Sequence, residues 1–304
     1  MQLTTSIDIP KSSFLISQNH SVMLLGSCFA DNVGEKFTRG GFNSLVNPFG
    51  TLYNPASISI LINQCIDNKN YNSESPYIFC DSSSVWHSWL HHSKFSSSSQ
   101  MELLNNVNDA FTRSSDFLRH ADVLIITLGT SIIYKLLESG MTVANCHKQL
   151  DSMFIRERLD AKTISNMLSD VMKSLHEINP NVKVIFTVSP IRHKRDGMHV
   201  NNISKGILLQ AVDELISSNQ DSSLVMQYFP SYEIMLDELR DYRFYADDMI
   251  HPSPLAVEYI WQRFQDTYFD KNTQEYVRIK NKEWARGQHR KIVIDRTGCK
   301  ALRL

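Results

Sequence analysis

Short apolar runs rich in β-branched residues recur along the chain, each closed by Gly, Ser or Pro: residues 22–25, 123–128, 182–188 and 224–229. A weaker run at 42–46 precedes Asn47-Pro48-Phe49-Gly50. Runs without polar alternation predict strands covered on both faces. Between them, stretches with helical periodicity fall at 31–39, 55–65, 101–119, 156–178, 202–218 and 254–269. Strands alternating with helices predict an α/β fold built on a doubly wound, mostly parallel sheet. Ligands bind such sheets beyond the C-terminal ends of the strands. The residues at those ends are Gly26-Ser27-Cys28, Asn47–Gly50, Gly129-Thr130-Ser131 and Ser189-Pro190-Ile191-Arg192-His193.

Two segments break the alternation. Residues 67–100, rich in Ser, Asn and aromatics, read as an irregular excursion with a small hairpin at 77–80, and residues 132–150 read as a hairpin insertion. The chain therefore divides into one domain over 1–270, carrying these two insertions, and a C-terminal extension over 271–304.

Composition narrows the function classes. Of 304 residues 42% are hydrophobic, enough for a sizeable core without disulfides or metals. A formal net charge of -1 excludes nucleic-acid binding through a strongly basic body, although ten basic residues stand beside three acidic ones in 271–304. No apolar run approaches the roughly 18 residues that span a bilayer, and none near the N-terminus suits a secretory signal. Five scattered cysteines without a CxxC pair predict reduced thiols, hence a cytoplasmic chain. Without a GxGxxG or Walker loop no nucleotide cofactor is expected. His87 and His91 have the spacing for a shared helical face, but no HExxH accompanies them; they read as surface histidines, and no metal is expected.

The junction Leu25-Gly26-Ser27-Cys28-Phe29-Ala30-Asp31, whose Asp31 can cap a helix starting immediately afterwards, carries the first candidate chemistry. A serine where a buried strand gives way to a helix either caps that helix or offers its hydroxyl as a nucleophile near free backbone N–H groups. Cys28 is a rival nucleophile, ranked below Ser27 because small buried cysteines are common core residues. A serine nucleophile needs a histidine, and an Asp three residues before a His can fix the imidazole's tautomer. Two such pairs exist, Asp196/His199 and Asp248/His251, so spacing alone does not choose. Context favours His251: Pro252 holds it outside helical dihedrals, and Ser253-Pro254 opens the last periodic helix.

Gly26-Ser27-Cys28-Phe29-Ala30 resembles the motif that names the GSCFA family, grouped with the SGNH hydrolases (GDSL-like esterases). Similar too are Asn47–Gly50 followed by Tyr53-Asn54-Pro55, Leu128-Gly129-Thr130, Ala144-Asn145-Cys146-His147-Lys148, Ser189–His193, and Asp241-Tyr242-Arg243-Phe244-Tyr245 running to His251-Pro252-Ser253. The resemblance covers about residues 20–270. It implies a three-layer, flavodoxin-like fold and a serine hydrolase that cleaves a carboxylic ester, O-acetyl carbohydrate among the possibilities, through an acyl-enzyme. Ser27 would be the nucleophile, His251 the general base and Asp248 its orienting carboxylate. The oxyanion hole would use the backbone of Ser27 and Gly50. Its third donor, an asparagine in SGNH hydrolases, has no counterpart in Gly129-Thr130-Ser131, leaving Thr130, Ser131, or an Asn from elsewhere (Asn47, Asn54 or Asn145). Asn54, Asn145 and His193 are the candidate substrate contacts; Arg192, His193 and Lys205 read as ordinary solvated charge or, alternatively, as groups for an anionic or sugar substrate. An acyltransferase using the same site, or a non-catalytic binding protein on the same fold, stands as the alternative. The expected partner is a small-molecule or carbohydrate ester, with neither nucleic acid nor membrane, and the oligomeric state is left open.

Overall fold

The apolar runs form the strands they predict. In the computed structural model, which describes residues 5–220 and 223–296 (288–296 by backbone alone), the elements in chain order are β1 (Ser21–Gly26), α1 (Cys28–Arg39), β2 (Asn43–Val46), α2 (Pro55–Ile66), β3 (Ile78–Cys80), β4 (Trp86–Ser88), α3 (Gln100–His120), β5 (Val123–Leu128) and β6 (Ile132–Leu136). There follow β7 (Thr142–Val143), β8 (Phe154–Arg158), α4 (Ala161–Ile178), β9 (Lys183–Val188), α5 (Met198–Ser217), β10 (Val225–Tyr228), α6 (Ser231–Glu233), α7 (Pro254–Tyr268) and α8 (Lys271–Arg296).

Five parallel strands make the central sheet in the order β10-β9-β5-β1-β2. Ranked by sequence among themselves, they run 2-1-3-4-5, the flavodoxin-like order, whose switch point lies between β1 and β5. Alternate side chains of each strand enter opposite cores. Met23, Leu25, Leu124, Ile126, Val184 and Phe186 pack with α2, α3, α4 and α5. Val22, Leu24, Val123, Ile125 and Ile185 pack with Phe29, Val33 and Phe37 of α1 and Ile260, Trp261 and Phe264 of α7. Both faces being buried explains why the runs lack polar alternation.

The insertions are more ordered than the sequence predicts. Residues 67–100 contain the antiparallel pair β3–β4, and the second insertion is a three-stranded sheet, β7-β6-β8. That sheet corrects one expected helix start: 156–158 belongs to β8, and α4 begins only after Asp160, whose side chain accepts the Thr163 N–H. The extension after 270 continues as α8, which rests on α1 through the buried Val277 near Gly40 and through Trp284, over which the Arg39 guanidinium lies at 4.0 Å.

Candidate active site at the switch point

At the end of β1 the chain must turn close against β5. Gly26 has φ +139°, and a Cβ there would lie 2.2 Å from the Thr127 carbonyl oxygen, so no other residue fits. Asn47, arriving from β2, accepts the Gly26 N–H at 2.9 Å and donates to Asp31 at 2.8 Å, which pins the start of α1 to the neighbouring loop.

Ser27 is the N-cap of α1, not Asp31. Its Oγ accepts the Phe29 N–H at 3.3 Å, its only hydrogen-bond partner among the described residues, and the residue is 2% exposed. Cys28, one position on, turns about 100° round the helix and out of the sheet edge. Its Sγ lies 3.6 Å from His251 Nε2. The expected pairing of Ser27 with His251 is therefore not made; the neighbouring thiol occupies that place.

His251 is held from three directions. Its Nδ1 donates to Asp248 Oδ2 at 2.6 Å, while Asp248 Oδ1 accepts the N–H groups of Ile250 and His251, both at 2.9 Å. Those bonds keep the Asp248 carboxyl down at about 2. Tyr245 pairs with Pro252 as an antiparallel bridge, and the Ala246 N–H donates to the His251 carbonyl at 2.8 Å. Ser253 caps α7 and Pro254 opens it, as their order predicts. Arg192 clamps the loop from β9: its guanidinium donates to the Met249 carbonyl at 2.7 Å and lies 4.4 Å from the Tyr245 ring. With Nδ1 bound to a carboxylate, Nε2 presents its lone pair to the thiol. In the rival pair, Asp196 binds Arg156 rather than His199.

Around this line stand Tyr53 and His193, their rings perpendicular at 5.5 Å. Burial, aided by Lys205 and His251, pushes His193 down to about 4, so it is a neutral imidazole. Burial and the Asp31 carboxylate push the Cys28 thiol above its ordinary value, partly opposed by Lys205, so Cys28 rests protonated. The His251 and Asp248 side chains are 45% and 46% exposed, which leaves the site open to water.

The expected oxyanion donors are engaged elsewhere. Ser27 N–H donates to the Thr127 carbonyl at 3.1 Å, Gly50 N–H to the Asn47 carbonyl at 2.8 Å, and Thr130 N–H to the Tyr53 carbonyl at 2.9 Å. Thr130 Oγ1 pairs with Ser204 Oγ at 3.0 Å. Asn54 caps α2, its Oδ1 accepting the Ser57 N–H at 2.8 Å, while its Nδ2 has no partner among the described residues. Asn145 accepts the His147 N–H at 2.8 Å within the second insertion. Lys205, expected on the surface, is 1% exposed. His87 and His91 are buried too, against the surface positions expected of them: His87 binds Asp81 and Ser96, and His91 packs beside Phe49 and Phe111. Among the described residues no group of His, Cys, Asp and Glu is arranged to hold a metal ion, and no helix is long and apolar enough to cross a membrane.

A three-layer fold with a thiol, an imidazole and a carboxylate in line at its switch point is thus the class defined here. The chain belongs to the GSCFA family, whose model matches residues 21–264. No protein of curated function matches it. Solved structures of similar fold include a mutant acetyl esterase with acetate ion (12% identity, 86% of this chain and 99% of that one, TM-score 0.42). The family 3 carbohydrate esterase of Clostridium thermocellum shares 11% identity over 86% and 98% of the two chains, with a TM-score of 0.38. A carbohydrate esterase family 3 structure from Talaromyces cellulolyticus shares 11% identity over 81% and 95%, with a TM-score of 0.41.

Proposed function

We propose that this protein is an acyl-transfer enzyme that hydrolyses a carboxylic ester through a thioester on Cys28. The observation that supports it is the continuous line Cys28 Sγ–His251 Nε2 at 3.6 Å and His251 Nδ1–Asp248 Oδ2 at 2.6 Å. A thiol is a weak nucleophile until a base takes its proton, and a positioned imidazole backed by a carboxylate is that base.

In this reading Cys28 passes its proton to His251 Nε2 as its sulfur bonds to the ester carbonyl carbon. The carbonyl becomes an oxyanion. The donors assigned to it are the Cys28 N–H, which has no intrahelical acceptor in the first turn of α1, and the free Nδ2 of Asn54, carried to the end of β5 by the bonds from Gly129 and Thr130 N–H to the Tyr53 carbonyl. As the oxyanion collapses, the C–O bond breaks and His251 returns the proton to the leaving alcohol. Water, activated by the same imidazole, then cleaves the thioester and restores the thiol. The O-acyl carbohydrate implied by the family resemblance is the first natural substrate to test.

The test is a pre-steady-state assay with a short-chain aryl ester. A burst of alcohol equal to the enzyme concentration, lost in Cys28→Ala and kept in Ser27→Ala, is the expected result. A burst that survives in Cys28→Ala and vanishes in Ser27→Ala overturns the assignment.

A further inference from the structure

The loop after β5 carries no asparagine for an oxyanion, and α5 explains what that loop does instead. Ser204 Oγ accepts the Ser131 N–H at 2.7 Å and bonds the Thr130 and Ser131 hydroxyls. Beside it, Lys205 Nζ donates to the carbonyls of Gly129 and Ser189, both at 2.7 Å, the residues just beyond the ends of β5 and β9. Two of the ammonium's three N–H donors are used in this way, and among the described residues no carboxylate binds the group. An ammonium this deeply buried is costly without an opposite charge.

The group placed to supply that charge is Cys28. β1 and β9 flank β5 in the sheet, so the end of β1 that carries Cys28 and the carbonyls that hold Lys205 meet at one rim. We infer that Lys205 is a positioning residue whose buried charge is the counter-ion of the Cys28 thiolate, formed when His251 takes the proton. The inference rests on the reactive thiol proposed above. Burial pushes Lys205 down to about 7, and the field of a Cys28 thiolate pulls it back up, so each charge favours the other. The other titratable groups facing the pair are Asp31, which opposes the thiolate from α1, His251 and Tyr53 beside Cys28, and His193 and Tyr232 beside Lys205. When Cys28 becomes a neutral thioester the counter-charge disappears, and Lys205 gives up its proton more readily until the acyl group departs.

The test is the rate of Cys28 alkylation by iodoacetamide as a function of pH, read by peptide mass spectrometry. In Lys205→Met the midpoint of the profile moves to higher pH, and alkylation at neutral pH slows by about tenfold, the loss of one nearby opposite charge. Lys205→Arg keeps the charge and stays within about threefold of wild type. A folded Lys205→Met with an unchanged profile overturns the inference. Should that variant not fold, ¹⁵N-lysine spectroscopy of the wild-type protein serves: blocking Cys28 with methyl methanethiosulfonate should lower the titration midpoint of Lys205, and an unmoved midpoint contradicts the inference. Alkylation needs no turnover, so these results stand or fall separately from the ester hydrolysis.

Discussion

The chain ends two neighbouring strands, β1 and β5, in opposite ways. After β1, the first helical turn begins at once, and Cys28 leaves the sheet edge toward His251. After β5, the polar groups of Thr130 and Ser131 turn inward to Ser204, with Lys205 beneath them. Both loops lie on the same rim, and both carry hydroxyls. The β1 end thus presents the Cys28 thiol to His251, whereas α5 claims the polar groups at the β5 end.

Four substitutions sharpen or break that contrast. Cys28→Ala should lower ester turnover by about 10⁵-fold or more, the scale for loss of a nucleophile, in steady-state assays with an aryl ester. A loss below tenfold would mean that the β1 edge is not the reactive one. Asp248→Asn should cost about 10³–10⁴-fold, since the amide favours the wrong tautomer of His251. The same assay checks this, with circular dichroism to show that the fold is kept. Because the Asp248 carboxyl is held at about 2, activity lost on mild acidification of wild type is not due to its protonation.

On the β5 side the effect should fall on stability. Ser204→Ala removes the acceptor of the buried Ser131 N–H and should cost about 1–3 kcal/mol in urea unfolding. Intact stability would show that water replaces the hydroxyl. The smallest effect belongs to Ser27→Ala: about 1 kcal/mol for the lost cap, with ester turnover within tenfold of wild type. A large loss of turnover with stability unchanged would return the nucleophile to Ser27.

The sheet was legible because burial on both faces leaves a continuous apolar signature, as at Val123–Leu128. β8 was not, since four of its five residues are exposed and carry no hydrophobic pattern; the charged run Arg156–Arg158 reads as a helix start. The pairing of Asp248 with His251 was legible through Pro252, Ser253 and Pro254, which fix the loop and the helix locally. Which of Ser27 and Cys28 meets His251 was not. It depends on whether α1 is capped by Ser27 or by Asp31, and a shift of one residue rotates the presented side chain by about 100°. Lys205 was hidden for another reason: a lysine in an amphipathic helix reads as solvated, and only the carbonyls of Gly129 and Ser189 make its burial possible.

The most direct measurement is the site of acylation. The protein is mixed with p-nitrophenyl acetate, quenched in acid within the burst, digested at low pH and analysed by mass spectrometry. The account predicts an acetyl group on Cys28 that hydroxylamine removes. An acetyl group on Ser27, with Cys28 unmodified, would contradict it.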